Sequence, residues 1–278
     1  MRRRRRTVDA LVYVGLFIAF VWSVLPMYLV LTTSVKVQSD AFSLTPKLLF
    51  FRFTIEHYQD VIGGVHQNFL RFFVNSIIVS IGSVIVALVV SIPAGYVLAR
   101  FDFRGKRAFG FFLLLPRAIP PIAMLLPFFF LWTRLGLMDT LQGLVLIYVQ
   151  LNLSIGVWML REFIAEIPRE LEEAALVDGC TRLQLIWRIV LPLAAPGIAA
   201  TAILLLIFSW NEFLFAFSVA GAKARTAPVS VFNFVGVEEV LWGQLHAAGT
   251  MVVLPVILFA LLVQRRMAAG LTAGAVTG

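Results

Sequence analysis

Between positions 10 and 35 the chain runs for 26 residues without a charged side chain. A bilayer core roughly 30 Å thick needs about 20 consecutive apolar residues to be crossed by a helix, so this stretch is long enough to span one. It is too long for the apolar core of a signal peptide, about 7 to 15 residues. The five arginines at 2–6 are therefore read as the cytoplasmic flank of an uncleaved first span.

Five further long apolar runs follow, two of them interrupted by a single charge (Arg117, Glu212), and together they place spans at about 9–33, 70–99, 108–133, 140–160, 194–219 and 243–264. With 60% of residues hydrophobic and 14% charged, too few charges exist to clothe a soluble domain of 278 residues. The expected fold class is an all-α integral membrane protein of six transmembrane helices. Basic residues stay preferentially on the cytoplasmic side, and an inside N-terminus puts fifteen Lys and Arg there against seven outside. Both termini are then cytoplasmic. The net charge of +8 comes in short clusters between apolar runs, not along one face, which argues against nucleic-acid binding.

Cys180 is the one cysteine, which excludes an intrachain disulfide. His57, His66 and His246 lack metal-ligand spacing, and no serine, histidine and acid arrangement stands out. No metal or catalytic site is expected. There is also no G-x-x-x-x-G-K-[ST] phosphate loop, so ATP chemistry would have to come from another chain.

A charge at mid-bilayer costs roughly 2.5 to 3.5 kcal/mol on insertion scales, so polar groups within spans need a reason. Asn211 and Glu212 in the fifth span, beside Trp210, admit two readings: they line a solute pathway, or they clamp that span to a neighbour. Gln150 and Asn152 in the fourth span point in different directions, and Asn152 is the weaker pathway candidate. Arg117, nine residues into the third span, is expected to snorkel toward the cytoplasm. Pro116, Pro120, Pro121 and Pro127 remove amide donors from that span, which is tolerated where neighbours or a water-filled cavity satisfy the freed carbonyls. The third span thus borders the pathway in this reading. Two long external loops, 34–69 and 220–242, offer surface for a partner.

The cytoplasmic loop 161–193 departs in composition, holding six of the fifteen acidic residues. Pro168 suits a first helical position, and Glu170, Glu172 and Glu173 lie near the positive end of the dipole. Gly179 suits the left-handed residue that ends such a helix. Thr181 and Gln184 form a capping box for a second helix, expected to stop at Pro192. Such a hairpin could present the small Ala174 and Ala175 to a partner, or simply lie on the membrane surface.

The run Glu173, Ala174, Ala175, then Gly179, Ile189, Leu191 and Pro192 resembles the "EAA" loop of ABC importer permeases at every fixed position. Other stretches are similar to the carbohydrate, maltose-type branch of that family and its shorter six-helix subunit. These are Thr54 to Tyr58, Asn75 with Ser76, Ala94 to Arg100 with Arg104 and Gly105, and Trp210 to Ala216; the family more often has Asn where His57 stands.

The resemblance implies a type I ABC importer permease fold in the bacterial cytoplasmic (inner) membrane, multi-pass, with no enzymatic activity of its own. It implies a homologous second permease, two ATPase subunits that hold ATP and Mg, an extracytoplasmic solute-binding protein and a sugar-like solute. Glu173, Ala174, Ala175, Leu176, Asp178 and Gly179 would meet the ATPase. Asn152, Trp210, Asn211 and Glu212 would serve the pathway, and the 220–242 loop would meet the binding protein. A self-contained secondary transporter or channel is the alternative. It would need no EAA loop, and six spans would have to dimerise to enclose a pathway. An intramembrane enzyme would want two ionisable groups deep in neighbouring spans, and Arg117 with Glu212 make a poor catalytic pair.

Overall fold

The computed structural model describes residues 2–41, 43, 45, 47–236 and 240–274, with side chains given between 11 and 262. Helices dominate: α1 (Arg2–Ser34), α2 (Gln38–Ala41), α3 (Glu56–Gly63), α4 (Phe69–Arg100), α5 (Lys106–Ala118), α6 (Pro121–Leu135), α7 (Leu141–Ala165), α8 (Arg169–Val177), α9 (Arg182–Leu185), α10 (Leu191–Trp210), α11 (Leu214–Val219), α12 (Ala227–Ser230) and α13 (Trp242–Gly274). Strand pairing among the described residues amounts to two isolated bridges, Lys36 with Phe53 and Val235 with Val240. Five helical stretches are each long and apolar enough to cross a membrane. Helices α5 and α6, bent by 94° at Ala118–Pro121, bring the number to six when counted as one broken span.

The chain divides into two compact units, Met1–Leu70 with Ser230–Val253, and Arg71–Val229 with Leu254–Gly278. In the first, α1 leaves its large apolar side chains, Leu11, Phe17 and Trp22 among them, on the outside, as a helix bathed in lipid does. The segment after it is tied by Asp40, whose carboxylate accepts from Lys47 Nζ at 2.8 Å and from Arg52 N at 2.7 Å. Helix α3 is the external helix expected before the second span. It docks through His57, bonded to Lys36 O at 2.8 Å, and Tyr58, bonded to Ser34 Oγ at 2.8 Å.

The second unit is built around α7, the most buried of the helices long enough to span a membrane. Small residues bring backbones close, which replaces the hydrophobic drive that lipid cannot supply. A Cβ on Gly95 of α4 would stand 3.0 Å from Arg161 N, and one on Gly156 of α7 would stand 2.6 Å from Ser91 Oγ. One on Gly197 of α10 would run into the Phe163 ring. Deeper still, Asn152 Nδ2 donates to Ser209 Oγ at 2.7 Å, and Ser209 lies 3.0 Å from Ser83 Oγ, so one polar chain joins α7, α10 and α4.

Four sequence expectations change. The third span is not one helix: Pro120 is extended (φ −55°, ψ 129°), and Pro121 starts α6 at its first turn, where a missing amide costs nothing. The fifth span stops at Trp210, and its 211–219 portion is a break followed by the short α11. The second loop helix does not stop at Pro192. It runs from α9 through a π turn, Ile186–Val190, into α10. A proline crowds the carbonyl four residues back, and the wider turn just before Pro192 relieves that clash without ending the helix. Helix α7 also runs to Ala165, past the 160 expected from charge alone, because a helix can continue into water beyond the bilayer edge.

Candidate functional site

Two places carry the expected functional residues: the cytoplasmic α8 hairpin, and a cavity where the α5–α6 bend meets the α10–α11 break.

Helix α8 begins at Arg169, with Pro168 extended just before it instead of in its first turn. Its end is a Schellman motif: Gly179 N donates to Leu176 O at 3.1 Å and Cys180 N to Ala175 O at 3.0 Å, with Gly179 at φ +86°. The capping box is present, Thr181 N to Gln184 Oε1 at 2.9 Å and Gln184 N to Thr181 Oγ1 at 3.3 Å. Glu173, Ala174, Leu176, Asp178 and Gly179 are exposed, and Val177 is 87% exposed.

Ala175 departs from the expectation that it faces outward. It is buried with Leu160, Ile164, Leu185, Val190 and Ala194, so its small size serves the hairpin's own core. Glu172, expected simply to favour the helix dipole, is buried too. Its Oε1 accepts from Arg100 Nε at 2.6 Å and its Oε2 from Tyr96 O–H at 2.9 Å, while Arg100 Nη2 donates to Ile167 O at 2.8 Å. The sequence signal for this pair was only that Arg100 ends the second span and that Glu172 sits one position before the motif.

The cavity has a volume of about 450 Å³. Asn152, Asn211 and Glu212 line it, together with Arg117, Tyr148 and Ser209. Glu212 borders the cavity, and its carboxylate oxygens accept from Phe215 N at 2.8 Å and Ala216 N at 3.0 Å, capping α11 within the expected fifth span itself. Asn152 is similarly double, lining the cavity while clamping Ser209. Asn211 Nδ2 donates to Ile207 O at 2.9 Å within its own helix.

Trp210 is not at the cavity. It is buried at 2% exposure between Phe73 and Phe259, edge to face with ring centroids 5.4 and 6.2 Å away. Helical geometry turns it away from Asn211, one residue on. Arg117 is exposed at the cavity. Its guanidinium lies over the Phe208 ring at 5.3 Å and donates to Leu151 O at 3.2 Å, in the cavity wall. The bend after Ala118 leaves Arg117 in the last turn of a short helix, where the dipole favours a cation. Pro116 and Pro121 line the cavity.

The first part of the 220–242 loop is held by Asp139, which adopts φ +54°. Its Oδ1 accepts from Gly221 N and Ala224 N, each at 2.8 Å, and Asn75 Nδ2 donates to the Lys223 and Arg225 carbonyls, each at 2.9 Å. Residues 237–239, within the loop expected to meet a binding protein, lie outside the described residues.

A family model described as binding-protein-dependent transport system inner membrane component matches residues 91–272. The chain is 34% identical to the inner membrane ABC transporter permease protein YcjP of Escherichia coli (strain K12), across 100% of both chains. It is 36% identical to the trehalose transport system permease protein SugB of Mycobacterium tuberculosis, across 92% of this chain and 93% of that one. Among solved structures, a chain of a bacterial ABC transporter involved in the import of the acidic polysaccharide alginate superposes with a TM-score of 0.81 at 24% identity. That superposition covers 95% of this chain and 97% of that one. The fold is therefore the type I ABC importer permease fold, and the chain is a transport subunit, not an enzyme. It belongs to the family of binding-protein-dependent transport system inner membrane components, the membrane-embedded permeases of ABC transporters.

Proposed function

We propose that the chain forms one half of the translocation pathway of an ATP-driven importer for a sugar or sugar-like solute, in the cytoplasmic membrane of a bacterium. A homologous second permease completes the pathway, two ATPase subunits bring ATP and Mg, and an extracytoplasmic binding protein delivers the solute. The observation that carries this reading is α8. Its outer face is exposed and partly apolar, whereas its inner face is fastened to α4 by the Arg100 and Glu172 pair.

A push on Glu173, Ala174, Leu176, Asp178 or Gly179 from an ATPase reaches the membrane helices along that pair, with Ala175 keeping the hairpin rigid behind. ATP then shifts the permease between two states only in so far as the ATPase contact differs between them. Asn152, Asn211 and Glu212 border the pathway, and Trp210 packs behind them. The trehalose permease named above and a diacetylchitobiose uptake permease of Streptomyces coelicolor, 33% identical across 94% of both chains, favour a sugar.

A cysteine-directed crosslink tests the ATPase contact. In a Cys180→Ser background, Val177→Cys should join to an ATPase subunit in membranes, whereas Phe50→Cys, 88% exposed in the 34–69 segment, should not. Absence of any product from position 177, in membranes where the complex is intact, would overturn the assignment of α8.

A further inference from the structure

We propose that the solute passing this cavity is acidic, a sugar bearing a carboxylate, phosphate or sulfonate group, and that Arg117 is the counter-ion it meets. This rests on the reading of the cavity as pathway and adds the charge of what travels through it.

Glu212, the acid that lines the cavity, has both carboxylate oxygens engaged by the Phe215 and Ala216 amides. The Asn152 amide donates one N–H to Ser209 and that of Asn211 donates one to Ile207 O, and both groups are neutral. Tyr148 O–H points to Glu212 O at 3.4 Å. Arg117 differs in carrying a charge that this wall does not neutralise. Of the five N–H donors a guanidinium carries, one reaches Leu151 O, and no ion pair to Arg117 forms among the described residues. The stack on Phe208 fixes the plane of the guanidinium and leaves its edge to receive a ligand.

A rigid cationic fork with free donors is the side chain that matches the two oxygens of a carboxylate or phosphate. Its cost within a span is recovered each cycle if the solute brings the opposite charge, and is not recovered by a neutral sugar, which offers hydroxyl dipoles alone. The volume of about 450 Å³ lies within the range of small-molecule sites, roughly 300 to 1,000 Å³. The aromatic and thioether wall of Phe208, Phe213 and Met124 gives a sugar ring an apolar surface to slide against.

The test uses the whole importer, with companion permease, ATPases and binding protein, in proteoliposomes holding ATP on the cytoplasmic side. Labelled glucuronate, glucose 6-phosphate, glucose and trehalose are offered in turn. The proposal expects ATP-driven uptake of an acidic probe at least tenfold above its neutral counterpart. It expects Arg117→Gln to lower that uptake at least tenfold at equal amounts of assembled complex, and Arg117→Lys to retain a larger share. Uptake of a neutral sugar, or an acidic probe carried equally well by Arg117→Gln, overturns it and leaves the importer reading standing. If the binding protein never stimulates ATP hydrolysis, the importer reading itself fails, and this proposal with it. A companion carboxylate that already neutralises Arg117 would reveal itself as the neutral-sugar outcome.

Discussion

Arg100 Nε lies 2.6 Å from Glu172 Oε1, and this pair joins the cytoplasmic end of α4 to α8 across 72 residues of sequence. Both side chains are under 10% exposed, at 7% and 9%. Removing one partner of a buried pair leaves a desolvated charge, which costs about 3 kcal/mol or more. Glu172→Ala is therefore expected to lower the thermal midpoint of the solubilised chain markedly. Glu173→Ala, one residue on and exposed, should stay within about 0.5 kcal/mol of wild type. The double variant Arg100→Ala with Glu172→Ala should lose less than the two single losses added together. Simple additivity in that cycle would show that the pair carries no coupling.

Gly179 at φ +86° has open space where a Cβ would stand, so substitution there is opposed by the backbone and not by a clash. A non-glycine residue in this conformation costs about 1 kcal/mol, less for Asn, which visits it more readily than Ala does. ATPase recovered with the permease after membrane extraction should fall in the order Gly179, Gly179→Asn, Gly179→Ala. If Gly179→Ala retained as much ATPase as wild type, the left-handed turn would have no part in presenting α8.

Asp40 supplies a pH dependence outside the membrane. The Lys47 ammonium that bonds its carboxylate, with help from the Arg52 amide and guanidinium, holds its pKa down at about 2, below the ordinary 3.8. The folded value is the lower one, so the contribution of this group is fully present above the ordinary carboxylate range. It is lost as pH falls through about 2. Limited proteolysis within 34–55 should rise as pH drops from 4 toward 2 with an acid-active protease. Asp40→Asn should be cut readily throughout and show a flatter profile.

Much of this architecture can be read from charge-free runs and helix punctuation, because both are local. Leu11–Ser34 and Phe69–Arg100 follow from the length of their apolar runs, and the Gly179 turn and the Thr181 cap follow from residues three or four apart. The contacts of Arg117 with Phe208 and Leu151 were not legible, because they depend on how α5, ending at the bend after Ala118, packs beside helices distant in sequence. Ala175 was misjudged, and the pairing of Glu172 with Arg100 was missed, because the inward orientation of both is decided by residues far away in sequence. Trp210 was placed in the pathway through its neighbours Asn211 and Glu212, although adjacent helical positions point about 100° apart.

ATP-driven uptake by the reconstituted importer tests the central claim most directly. Proteoliposomes carrying this chain, its companion permease, the ATPases and the binding protein should accumulate solute with ATP on the cytoplasmic side and not with ADP. Omitting the ATPases, or introducing Gly179→Asp, should abolish accumulation. Solute flux through this chain alone, unchanged by ATP and by Gly179→Asp, would contradict the account and make it a self-contained carrier.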